Sequence, residues 1–140
     1  MTEKEFLDKA IGKPWISRAT GDKGYDCWGL VIASFRDIDG IELPIINGYA
    51  YSSGSANEIE SELRSKGRFI KSTGIEGDIV SMYNDAGDFE HVGRVLCGGI
   101  AHAWGQGGNG TGQVKWNTIA AIKKLYPRLE FERYAVNCSI

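Results

Sequence analysis

The stretch Gly24-Tyr25-Asp26-Cys27-Trp28-Gly29-Leu30-Val31 places a thiol where a helix is expected to begin. Asp26 is a residue type that is favoured at an N-cap, and the apolar residues after it fall at helical spacing. The free N–H groups at a helix start favour an anion, so we expect a lowered pKa for Cys27 and a nucleophilic role. The alternative interpretation is that Cys27 is a small buried apolar side chain, as most free cysteines are.

Two capping boxes predict further helices. Thr2 with Glu5 opens a helix that Gly12 ends, and Ser55 with Glu58 opens a short second one. The polar residues 17–24 are expected to form a loop, and the helix that begins at Asp26 is expected to end at residues 39–40.

The second half of the chain has the pattern of strands and turns, with one short helix. Helices followed by strands predict an α+β fold, with helices packed on one face of an antiparallel sheet in a single domain, 1–140. The predicted strands are 79–83, 91–96, 100–104, 114–116 and 129–136, with turns at 84–88 and 97–99 and a helix at 119–125.

Composition excludes several classes of protein. The 140 residues carry a net charge of −2, so no basic field is available to bind nucleic acid. No apolar run approaches the ~20 residues of a membrane span. The first residues lack a basic start and an apolar core, so we expect no signal peptide, synthesis in the cytoplasm and, if exported, another route. The three cysteines are widely spaced, and we expect no metal and no cofactor.

Both histidines of the chain fall in one predicted hairpin. His91 opens one strand and His102 lies on the next, across a turn near Gly98. A thiol nucleophile needs an imidazole within hydrogen-bond reach, and that imidazole needs an orienting partner on its other nitrogen. The alternative is that each histidine is an ordinary surface or core residue.

Four segments resemble the NlpC-type papain-like cysteine peptidases. They are Tyr25–Val31, Gly77-Asp78-Ile79-Val80, His91–Val95 and His102, and the resemblance covers residues 11–104. It implies a papain-like fold in which Cys27 is the nucleophile, His91 the general base and His102 the residue that orients His91.

The resemblance also suggests binding residues. It implies that Tyr25 helps to bind the oxyanion beside the Cys27 N–H, and the alternative for Tyr25 is a core-packing role. Trp28 and Trp104 are candidates for lining a substrate groove, although tryptophan in a small domain is mostly buried.

The residue after the cysteine points to a branch of the family. Cell-wall-remodelling members usually have a small residue there, whereas Trp28 is similar to phage tail-assembly members. The resemblance thus implies cleavage of an amide bond in peptidoglycan stem peptides, in a phage or prophage tail context with tail-tip proteins as partners. The alternatives are an inactive structural tail protein of the same fold, a wall-degrading amidase toxin and an acyltransferase. The last is disfavoured because related acyltransferases place the histidine before the cysteine.

Overall fold

The structure, a computed structural model, describes residues 1–43, 69–105 and 112–134. The predicted helix that starts at Ser55, the glycine-rich stretch 106–111 and Cys138 lie outside these residues. The elements are α1 (Glu3–Ala10), β1 (Thr20–Gly21), β2 (Gly24–Tyr25), α2 (Cys27–Ser34), a π-helical turn (Phe35–Asp39), β3 (Phe69–Lys71), β4 (Ile79–Tyr83), β5 (Phe89–Leu96), β6 (Gly99–Trp104), β7 (Gln113–Thr118), α3 (Ile119–Leu125) and β8 (Arg128–Tyr134).

The caps predicted for the first two helices are confirmed. The Glu5 N–H donates to Thr2 Oγ1 over 3.1 Å, and the Thr2 N–H donates to Glu5 Oε1 over 2.8 Å. The Gly29 N–H donates to Asp26 Oδ1 over 2.7 Å, which satisfies one of the free donors at the start of α2. After the π-helical turn the chain leaves the helix at Gly40, whose φ is +69°.

The six-stranded sheet is antiparallel and has the order β3-β8-β4-β5-β6-β7. The strands from β4 to β7 form the meander expected from the sequence. β8 then returns to pair with β4, and β3 adds to the outer edge of β8; the sequence pattern predicts neither of these pairings. The predicted loop 17–24 overlaps the small hairpin of β1 and β2, which spans residues 20–25.

Helices cover both faces of the sheet, so the expectation that they pack on one face is wrong in this respect. Ile79 and Tyr83 of β4 share a core cluster with Val31 of α2, whereas Val80 and Met82 pack in another cluster with α3. Successive side chains of a strand point to opposite faces, which explains how one short strand contacts helices on both sides. The two N-terminal helices do pack on the antiparallel sheet.

In the described ranges, no helix has the length and apolar character that crossing a membrane requires.

Candidate active site

Cys27 is the first residue of α2, directly after the N-cap Asp26. The thiol residue is partly exposed to solvent. The loop before the helix is fixed to the cap, because the Arg18 N–H donates to Asp26 Oδ2 over 2.6 Å and the Asp26 N–H donates to the Ala19 carbonyl over 3.2 Å. The sequence therefore holds the thiol at the start of a well-anchored helix.

The prediction of a lowered Cys27 pKa is wrong. Burial of the sulfur and the adjacent Asp26 carboxylate raise the pKa of the thiol to about 12, although backbone N–H groups of Trp28, Cys27 and Val92 favour the thiolate. The N–H groups at the helix start do lower the pKa of Cys27, as expected, but the increase caused by desolvation of the thiolate is larger. The resting group at neutral pH is consequently a thiol.

This ionisation state predicts a slow reaction of Cys27 with iodoacetamide at pH 7 in the free protein. We expect Cys97, which is exposed at the β5–β6 turn, to be alkylated before Cys27, because the pKa of each thiol is raised, more so at Cys27, and the Cys97 thiol is the more accessible of the two. Peptide mass spectrometry over a time course measures both rates. A faster reaction at Cys27 would show that the thiolate is already populated in the resting protein.

The two histidines meet on the sheet. His91 Nε2 lies 3.0 Å from His102 Nδ1, and the two rings are arranged edge to face with centroids 5.1 Å apart. Both side chains are buried. Burial and the neighbouring His102 lower the pKa of His91 to about 3, and burial also lowers the pKa of His102. Both imidazoles are therefore neutral at pH 7, the form in which an imidazole accepts a proton.

A third polar side chain continues this chain of hydrogen bonds. His102 Nε2 lies 2.9 Å from Oδ1 of Asn117 on β7. Asn117 is not among the residues that the sequence indicates. The available signal was its place directly after the predicted strand 114–116, which is expected to pair back onto the strand of His102.

The thiol and His91 lie at the same end of β5. The N–H of Val92, the residue after His91, acts on the Cys27 sulfur. The Tyr126 ring lies 6.2 Å from the His91 ring, and Cys27 is one of the groups that influence the Tyr126 hydroxyl, whose pKa burial raises to about 12. Two neighbours of His91, Val92 and Tyr126, thus also interact with Cys27.

A buried arginine joins α2 to β5. Arg94 Nη2 lies 2.7 Å from Asp39 Oδ2, and Arg94 Nη1 donates to Ser34 Oγ over 3.2 Å. Its guanidinium also stacks on the Phe35 ring at 3.6 Å, and its Nε donates to the Gly77 carbonyl over 3.0 Å. The end of α2 is therefore held against the strand that carries His91.

The structure places Tyr25 and Trp28 in the core. Tyr25 is buried and packs edge to face against Phe6 of α1. The charged groups that act most strongly on the pKa of its hydroxyl are Lys9 of α1 and Asp37 and Arg36 of the π-helical turn. Trp28 is fully buried in the cluster between α2 and the sheet. These contacts support packing roles for both side chains.

Trp104 lies beside the histidine pair instead. Its ring is 6.3 Å from the His102 ring, and its side chain is partly exposed at the end of β6. Of the three proposed binding residues, Trp104 is the one whose ring lies beside the histidine pair in the ring contacts of the described residues.

The described ranges contain no group of three His, Cys, Asp or Glu side chains arranged to hold a metal ion. The acidic turn before His91 is organised by Asn84, whose Oδ1 accepts from the Ala86 and Asp88 N–H groups over 3.0 Å each.

A cysteine at a helix start, set against an antiparallel sheet that carries hydrogen-bonded imidazoles, is the arrangement of a papain-like cysteine peptidase. The chain belongs to the NlpC/P60 family, whose profile matches residues 12–113. Members of this family are cysteine peptidases, and at the family level this supports a hydrolase that acts on cell walls.

One solved structure with this fold is the NlpC/p60 domain of the peptidoglycan hydrolase SagA. The two chains superpose with a TM-score of 0.55 and are 20% identical, over 94% of this chain and 95% of that one. This likeness shows the papain-like α+β fold. Among curated proteins, none matches the chain.

Proposed function

We propose that this protein is a cysteine amidase that cleaves an amide bond in the peptide stems of peptidoglycan, with Cys27 as nucleophile, His91 as general base and His102 orienting His91. The observation that carries the proposal is the 3.0 Å contact between His91 and His102 at the point where the Val92 N–H meets the Cys27 sulfur. Family membership supports the reaction class.

The first step follows from the neutral resting groups. As Sγ of Cys27 attacks the amide carbonyl carbon, its proton passes to Nδ1 of His91, which is the ring nitrogen not engaged with His102. The negative charge collects on the carbonyl oxygen. The N–H groups of Cys27 and Trp28 lie in the first turn of α2 and act on the Cys27 sulfur, and this position is suited to stabilise the oxyanion.

The second half of the reaction returns the site to its resting state. His91 gives its proton to the leaving amine as the carbon–nitrogen bond breaks, which leaves a thioester on Cys27. Water then attacks the thioester while His91 accepts one of its protons. The products are a carboxylic acid and the restored thiol, for which the proton comes from His91.

The proposed substrate bond joins D-glutamate to a diamino acid, and the proposed setting is a phage or prophage tail tip. The support for this setting is the sequence resemblance at Trp28 to tail-assembly proteins of the family. Tail-tip proteins are the corresponding partners. Delivery of the same amidase as a wall-degrading toxin is the second proposed setting.

Digestion of purified peptidoglycan tests the proposed activity. We expect the protein to release fragments with one new amine and one new carboxyl group, identified by mass analysis. Cys27→Ser should reduce release to the background, because the hydroxyl is a far weaker nucleophile beside a neutral imidazole. The matched control is Cys97→Ser, which changes an exposed thiol at a turn and should keep full activity.

Two results would contradict the amidase proposal. One is equal release by the parent protein and Cys27→Ser. The other is no release by a folded parent protein on walls of several stem compositions, which would favour the structural tail protein instead.

A further inference from the structure

Asn117 is held firmly in place beside the histidine pair. It pairs with Ile100 across the β6–β7 ladder and is partly buried. The preceding residue, Trp116, donates its indole N–H to the Leu96 carbonyl over 2.8 Å. The following residue, Thr118, caps α3 by accepting from the Ala121 N–H over 3.2 Å. The backbone at Asn117 is thus held in place by the residues before and after it in the chain.

We propose that Asn117 is a positioning residue that fixes the direction of the hydrogen bonds from His102 to His91. This inference rests on the proposed function of His91. With Asn117 Oδ1 as the acceptor, His102 carries its proton on Nε2 and presents a lone pair at Nδ1. His91 then donates from Nε2 to that lone pair, so its own Nδ1 is left unprotonated. In this tautomer, Nδ1 of His91 can accept the thiol proton.

The opposite direction would disable the base. If His102 donated from Nδ1 to His91 Nε2, the neutral His91 would carry its proton on Nδ1 and could not accept one from sulfur. Gly93 allows β5 and β6 to lie close together beside the pair, because a Cβ at that position would lie 2.6 Å from the Ala101 carbonyl oxygen and 3.1 Å from His102 Cβ. The Asn117 acceptor at the end of the chain selects the tautomer, and although its hydrogen bond favours a charged His102, burial outweighs this effect and keeps the pKa of His102 lowered.

Few charged groups act on the pair among the described residues. Lys115 on β7 opposes a charge on His102, and His102 opposes a charge on His91. Cys27 on α2, Glu90 on β5 and Tyr126 after α3 are further titratable groups near the start of β5, which the acidic turn 84–88 precedes. An aspartate in place of Asn117 would therefore introduce a carboxylate directly against His102 and raise the pKa of the pair.

Nitrogen-15 NMR of the histidine rings tests the tautomers without any substrate. The chain has two histidines, so the spectrum contains two imidazoles. We expect both rings to be protonated on Nε2 in the parent protein and in the isosteric Asn117→Asp. In Asn117→Ala we expect His102 to become a mixture of tautomers. A proton on His91 Nδ1 in the parent protein, or unchanged tautomers in Asn117→Ala, would overturn the proposal.

Steady-state kinetics on purified peptidoglycan provide the second measurement. We expect Asn117→Ala to lower kcat by roughly 10- to 100-fold with KM nearly unchanged, the scale seen when a functional imidazole loses its outer hydrogen-bond partner. Asn117→Asp should retain the tautomer and shift the acidic limb of the pH profile of kcat/KM upward by about one unit. Gln113→Ala, on the same strand and exposed, should change neither quantity.

The two measurements separate the two proposals. Expected tautomers in a protein that cleaves no wall would refute the amidase activity and leave the role of Asn117 in orienting the imidazoles standing. An active protein in which Asn117→Asp leaves the acidic limb unchanged would refute the role of Asn117 alone. Circular dichroism melting of each variant checks that it is folded.

Discussion

Replacement of His91 by alanine is expected to lower kcat by about 10²- to 10⁴-fold, the usual contribution of a positioned general acid and base. His91 takes part in both proton transfers of the proposed reaction, first from the thiol and then to the leaving amine. Because the pKa of this buried imidazole is lowered to about 3, the group is already in its basic form at neutral pH. Steady-state kinetics on a soluble stem peptide measure the effect.

A volume-conserving variant separates chemistry from packing. His91→Gln fills the buried site and should lose activity to the same extent, with KM changed little. His102→Ala is the matched histidine variant and should lose less, since His102 acts through His91 and touches no reacting atom. Activity of His91→Gln within about threefold of the parent protein would contradict the assignment of His91 as the base.

Replacement of Gly29 by alanine is expected to destabilise the protein by about 3 kcal/mol, at the upper end for overpacking. A Cβ at this position would lie 1.9 Å from the Ala19 carbonyl oxygen and 2.8 Å from Asp26 Oδ1. The loop cannot easily retreat, because the Ala19 carbonyl accepts from the Asp26 N–H and the Thr20 carbonyl accepts from Arg36. Urea unfolding followed by tryptophan fluorescence measures the loss.

A glycine at the other end of the same helical segment provides the control. Gly40 has a φ of +69°, and a Cβ there would meet nothing within 4 Å. Gly40→Ala should therefore cost only the backbone strain, about 1 kcal/mol. A cost for Gly29→Ala equal to or below that of Gly40→Ala would show that the loop at Ala19 adapts freely.

Among the residues that the structure describes, local features of the sequence are sufficient for the α-helices and for most of the sheet. The capping residues Thr2 and Asp26 are both used as the pattern indicates. α3, Ile119–Leu125, has the predicted bounds. These signals act within a few residues, so they can be identified without knowledge of the fold.

The pairings that the pattern does not predict are long-range. β3 has three residues and no apolar alternation of its own, and it exists as a strand because β8 offers a free edge. Similarly, β8 pairs with β4 across the whole meander. The gain from such a pairing depends on the burial of distant residues, which no local window contains.

The candidate site also has some features that the local sequence indicates and others that depend on the fold. The sequence locates Cys27, His91 and His102, and the structure brings the two histidines into contact. The sequence does not indicate Asn117, because an asparagine in a strand carries no sign of its hydrogen-bond partner. The prediction of a lowered Cys27 pKa fails because the burial of the sulfur and the charge of Asp26 outweigh the effect of the helix start, and both need the fold to evaluate.

The π-helical turn that follows α2 has a consequence for how the family can vary. A turn closed by bonds between residues five apart contains one residue more than a turn of α-helix. Here the additional residue delivers the Asp39 carboxylate to Arg94, 2.7 Å away. A one-residue deletion that restored α-helical winding would remove this acceptor, and the buried Arg94 would lose the carboxylate that most favours its charge. The length of this turn and the arginine at position 94 are thus expected to change together among related sequences.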